Sequence, residues 1–140
     1  MFRNDGFRVL DRRECLRLLA KVPVGRVVYT RQALPAVLPV NFSLDTDSSV
    51  LLRTSAGSGL VRAVDGVVVA FEADDFDAAT RSGWSVVVTG RATVVTHPAE
   101  RERLSRTGPH SWVVTHDEVF VRIESEMVSG REITGTRGTD

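Results

Sequence analysis

The chain has 140 residues, 42% of them hydrophobic and 26% charged, which is the size and balance of one globular domain with no room for a second. Its 18 basic and 18 acidic residues cancel and neither sign forms a long block, so composition points away from nucleic acid and from an anionic membrane as partners. A single cysteine, Cys15, excludes an intrachain disulfide framework and a cysteine zinc site and suits the cytoplasm, while the polar opening residues and the lack of any apolar run near the roughly 20 residues that span a bilayer point to a soluble protein.

The first element is a helix from Asp11, where Asp11 and Glu14 have capping-box spacing and Leu10 and Cys15 are placed as a hydrophobic staple. Cys15, Leu18, Leu19 and Val22 fall on one face, so Cys15 reads as a small core residue rather than a nucleophile. Beyond Pro23 the period becomes two. Residues 24–30 form one strand and 36–44 another, with Ala36, Leu38, Val40, Phe42 and Leu44 on one face and Pro39, Asn41 and Ser43 on the other. Pro39 cannot donate to a ladder and places that strand at an edge, a bulge or an opening.

A polar turn over 45–49 leads to a short strand, 50–54, and then to the small residues Ser55, Ala56, Gly57, Ser58 and Gly59, with a short helix over 58–64. The apolar run 67–71 reads as a strand covered on both faces, ended by an acidic loop over 72–77. The cleanest alternation in the chain is at 84–95, where Trp84, Val86, Val88, Gly90, Ala92 and Val94 share a side and Gly90 marks a bulge or sharp coil. Pro98 opens a helix to about Leu104, and strands follow at 119–123 and 127–133. Residues 1–7 and 134–140 are expected to be flexible ends of one domain spanning 1–140. Six to seven strands, two or three short helices and no strand-helix-strand repeat predict a mainly β protein built as an antiparallel barrel.

Catalytic constellations are missing from the sequence. His97, His110 and His116 share no metal-ligand spacing with one another or with Cys15, and no serine sits in a nucleophile elbow, so no catalytic residue and no metal site is assigned. The segment from Arg53 to Arg62 offers different chemistry. Arg53 could grip a phosphate with two N–H groups, Thr54, Ser55 and Ser58 could donate hydroxyls, Gly59 and Leu60 open the helix, and Arg62 adds a second cation. A plain connecting loop is the alternative reading of the same pattern.

Several stretches then follow in order: Cys15 to Leu19, Val24 to Val27, Leu38 to Phe42, Leu52 to Thr54, Val69 to Glu72, the run from Ser82 to Ala92, and Val121 to Ile123 leading to Ser129, Gly130 and Arg131. In that order they resemble the short pyridoxamine 5'-phosphate oxidase-like flavoproteins. The resemblance implies a split β-barrel that forms a homodimer, with FMN in a groove shared by the two subunits. It also implies that Val40, Asn41 and Phe42 line the flavin ring, that Arg53 to Leu60 hold the phosphate, and that Trp84 and Ser85 close the site. Such proteins commonly carry a lysine at the position of Gly59, and Arg62 is placed to substitute for it. The chain lacks the longer arginine- and histidine-bearing terminus of a true pyridoxamine-phosphate oxidase, so that vitamin chemistry is not carried over. What the resemblance implies instead is an FMN-dependent oxidoreductase of an unassigned small molecule. A deazaflavin cofactor in the same groove, or a non-catalytic flavin-binding or dimerisation module, are the alternatives.

Overall fold

The structure, a computed structural model, describes residues 6–113 and 116–135. The described chain runs through β1 (Arg8–Leu10), α1 (Arg12–Leu19), β2 (Val24–Arg31), β3 (Leu34–Leu44), β4 (Val50–Ser55), α2 (Gly59–Val64), β5 (Val68–Asp77), β6 (Ser82–Val94), α3 (Pro98–Thr107), β7 (Glu118–Ile123) and β8 (Met127–Ile133). All pairings are antiparallel. In the order β6-β5-β2-β3-β4-β7, with β7 returning to β6, six strands close a barrel, and β8 and β1 extend the sheet from β6. The fold is the split β-barrel that the sequence predicts, with one strand more than expected. The addition is β1, three residues, too short to show a period, which pairs with residues 130–132 at the far end of the chain.

β6 is where the barrel splits. One edge runs along β5 for most of its length, while the other pairs with β8 from Gly83 to Thr89 and with β7 from Ala92 to Val94. Gly90 lies at the fork. The chain leaving β7 crosses there, and a Cβ at position 90 would stand 1.7 Å from the carbonyl oxygen of Glu124. The expected coil at Gly90 is therefore a change of partner strand, with no break in the β5 register.

The core fills by alternation. Phe71 and Phe42 meet edge to face at 4.7 Å inside the barrel, among Val27, Leu52, Val86, Val88 and Ile123, all buried. Asp11 caps α1 with the full capping box, and the helix lays Cys15, Leu18 and Leu19 into this core. Burial pushes the Cys15 thiol up, in keeping with an inert core residue. α2 seats Leu60 and Val64 in the same core. α3 covers the outer face of β4 and β7 with a second cluster of Leu51, Val95, Leu104 and Phe120.

Three local expectations are corrected. β2 and β3 are joined by Gln32 and Ala33 alone, because Arg31 pairs with Leu34, so the hairpin is tighter than the sequence suggests. The acidic stretch 72–77 is strand: β5 continues to Asp77 with Val69, Phe71 and Ala73 inward and Glu72 and Asp74 outward. The same strand is covered on one face only, since Val68 is 54% exposed. The flexible ends expected at 1–7 and 134–140 fall largely on residues 1–5 and 136–140, which lie outside the described residues.

Candidate functional site

The residues singled out by sequence are distributed around the barrel rather than gathered at one point. Val40 and Phe42 turn into the core, and Asn41 alone of the three faces outward. Its amide donates to the carbonyl of Pro23 and its Oδ1 accepts the backbone N–H of Trp112 at 2.9 Å. Trp84 is buried in the main core.

Arg53 emerges on the outer face of β4, opposite Phe120 of β7. Its guanidinium lies 5.3 Å from the Phe120 ring centroid, donates from Nη1 to the carbonyl of Pro109 at 3.0 Å and pairs through Nη2 with Glu118. The side chain is only 15% exposed, and its Nε is buried without a hydrogen-bond partner. Two-point capture of a phosphate by Arg53 would therefore require breaking a partly buried ion pair. The hydroxyls nearby are also turned onto backbone: Ser55 Oγ accepts from the N–H of Gly57, and Ser58 Oγ caps α2 through the N–H of Leu60. Thr54 is half-buried on the opposite side of β4 from Arg53.

Gly59, Leu60 and Arg62 sit at the start of α2, where Leu60 anchors the helix in the core. Gly59 and Arg62 open onto a cavity of about 340 Å³ that they share with Thr30, Arg31, Gln32 and Ala63. Arg31, which the sequence does not single out, joins this cavity because the fold brings it to Gly59. Ser85 lies elsewhere, in a groove of about 280 Å³ with Val9, Val87, Ser129, Gly130 and Arg131.

Beside that groove is an unforeseen charge cluster. Arg26 Nη1 lies 3.2 Å from Glu72 and 3.5 Å from Asp74, and Ser85 Oγ donates to Glu72 Oε2 at 3.2 Å. Burial above all, and then the neighbouring Asp74, push the Glu72 carboxyl up to about 7, against the opposing pull of Ser85 and Arg26. The fold thus favours protonated Glu72 more than the unfolded chain does. That contribution to stability is complete below the ordinary value of 4.5 and is lost as pH rises through about 7. Thermal unfolding at about pH 5 and about pH 8 should therefore show the wild type losing stability over that interval and Glu72→Gln losing distinctly less. Equal losses in both proteins would assign the pH dependence to another group.

Among the described residues no group of His, Cys, Asp and Glu is arranged to hold a metal ion. His97 has a structural task, accepting at Nδ1 from the N–H of Ala99 at the start of α3. No described helix is long and apolar enough to cross a membrane.

Comparison with known proteins places this geometry in a family. The chain is 48% identical over 135 residues to the uncharacterized protein Rv0080 of Mycobacterium tuberculosis, covering 93% of this chain and 88% of that one. A crystal structure of a putative pyridoxamine 5'-phosphate oxidase from Corynebacterium glutamicum superposes with a TM-score of 0.80 at 29% identity, over 96% of this chain and 99% of that chain. The FAD binding protein from Mycobacterium smegmatis superposes with a TM-score of 0.71 at 32% identity, over 91% and 98% of the two chains. The family model for pyridoxamine 5'-phosphate oxidase matches residues 11–132, nearly all of the described barrel, and the chain belongs to that family.

Proposed function

We propose that this protein binds a flavin nucleotide, FMN in the first instance, and acts as a flavin-dependent oxidoreductase on a small molecule. The observation that carries the reading is the likeness to the M. smegmatis protein described as FAD-binding, which extends over nearly the whole of both chains at 32% identity. The residues fit such a group in one respect above all: Arg31 and Arg62, which have no hydrogen-bond or ion-pair partner among the described residues, line one cavity with Gly59 beside the barrel. When bound, the flavin supplies the hydride or electron transfer, and the protein's work is to hold and orient it. The buried Cys15 and the absence of a second cysteine suit the cytoplasm.

The flavin groove is completed in this reading by a second copy of the chain. The outward face of the extended sheet supports it, with Val9, Val37, Val68 and Met127 exposed there, and Trp112 is 71% exposed on the loop after α3. The test is direct. Purified protein should show a visible flavin absorption band, or gain one on titration with FMN, and should elute as a dimer with its mass measured by light scattering. Parallel titrations with FAD and with a deazaflavin cofactor rank the three ligands. Protein that stays colourless and takes up none of them overturns the proposal.

A further inference from the structure

Most arginines with described partners in this protein are held by carboxylates, as Arg8, Arg26, Arg53, Arg103 and Arg122 are. Arg31 and Arg62 are not. Neither makes a hydrogen bond or ion pair among the described residues, and both line the cavity of about 340 Å³ at Gly59. None of the six lining residues is acidic, while Thr30 and Gln32 add a hydroxyl and an amide. Two neighbouring cations with no counter-charge repel one another, and an anion between them would relieve that repulsion.

The fold holds Arg31 in place for this. It is the last residue of β2, paired with Leu34 across a two-residue turn in which Gln32 and Ala33 have φ of 50° and 65°. Both lie in the left-handed region that turns of this kind demand and that glycine or asparagine usually fills. Backbone held in that region without glycine clusters at ligand-clamping segments. From there the guanidinium reaches over the start of α2. A Cβ on Gly59 would lie 3.3 Å from Cζ and Nη1 of Arg31 and 3.6 Å from Nη2, and these are the nearest atoms it would meet. The missing side chain at 59 is thus the space that admits the Arg31 fork.

We propose that Arg31, with Arg62 beside it, binds the phosphate end of the flavin nucleotide, Arg31 supplying the cation over Gly59 that Arg53, paired to Glu118, does not. This rests on the flavin reading above and adds the residues that distinguish phosphorylated flavin from riboflavin. FMN offers a phosphate monoester and FAD a diphosphate, and the fork of a guanidinium suits the oxygens of either.

The experiment compares the affinity for FMN, FAD and riboflavin in the wild type, Arg31→Ala, Arg106→Ala and the double variant Arg31→Ala with Gly59→Lys. Arg31→Ala should lower the preference for FMN over riboflavin at least tenfold while leaving riboflavin binding within about twofold. Arg106→Ala, on the exposed side of α3, should leave the preference unchanged. The double variant returns a cation to the same space from the start of α2 and should recover most of the preference, an effect a merely structural role for Arg31 would not produce. In parallel, inorganic pyrophosphate is titrated into the wild type while the Nε–H resonances of Arg31 and Arg62 are followed by NMR. Shifts of both without any flavin uptake would support the anion site and sink the flavin reading. Flavin uptake with an unchanged FMN preference in Arg31→Ala would overturn the site and leave the flavin reading standing. Silent arginine resonances together with an unchanged preference overturn it as well.

Discussion

Gly90→Ala should cost the protein at least about 3 kcal/mol and lower its midpoint of thermal unfolding by roughly 10 °C, a larger effect than any exposed substitution. The reason is a collision between two backbones. The added methyl would sit 1.7 Å from the Glu124 carbonyl oxygen and 2.8 Å from its carbon, so no side-chain rotation relieves it. The crossing is also tied on both sides. The N–H of Glu124 donates to the carbonyl of Arg91 at 3.1 Å, and the N–H of Arg91 donates to Glu126 Oε2 at 2.8 Å. Moving either chain therefore disturbs the point at which β6 exchanges β8 for β7, which is the feature that both closes and splits the barrel. Gly57→Ala is the control. Its added methyl would meet only Ser55 Oγ, at 3.9 Å, and stability should change by no more than about 0.5 kcal/mol. Differential scanning calorimetry on the two variants decides the matter, and a Gly90→Ala protein as stable as the control would mean that the crossing is looser than described.

That glycine shows how far a sequence can be read here. A period-two run of inward apolar residues located β6 and singled out Gly90, and the Asp11–Glu14 spacing located α1, because both signals are local. What the sequence does not carry is contact between distant segments. Arg53 reads as an anion ligand because nothing in its neighbourhood names Glu118 as its partner, and nothing in the sequence marks Arg31 because Gly59 lies on another element. The facing ends of β2 and β3 are hidden in the sequence because Gln32 and Ala33 lack the chemistry that a two-residue turn normally uses. The acidic half of β5 reads as loop because Glu72, Asp74, Asp75 and Asp77 hide an alternation whose inward members are Phe71 and Ala73. The family motifs identified the barrel, while the pairing of Arg53 with Glu118 and the approach of Arg31 to Gly59 came only with the fold.

Asp45→Ala should destabilise the protein by about 3 kcal/mol, because it removes the acid at the centre of a partly buried charge network. Asp45 opens the β3–β4 turn with its side chain only 7% exposed, and its Oδ2 accepts from Arg122 at 2.8 Å and from Arg103 at 3.0 Å. Arg122, on β7, also pairs with Glu100 of α3, so one carboxylate ties a turn, a helix and a barrel strand together. Without it Arg122, itself 19% exposed, would keep Glu100 but lose its more buried partner. The Arg103 hydrogen bonds, then Arg122 and the N–H of Thr46, hold the Asp45 carboxyl well below the usual carboxylate range despite the opposing effect of burial. The sign of the pH dependence follows. A depressed pKa contributes stability that is present above the ordinary aspartate value of about 3.9 and is lost as pH falls below it toward the folded value. Wild-type stability, followed by circular dichroism during thermal unfolding, should therefore fall steeply between roughly pH 5 and pH 2, and Asp45→Asn should start lower at neutral pH but fall less over the same interval. Parallel acid limbs in the two proteins would show that the network is not what fails in acid.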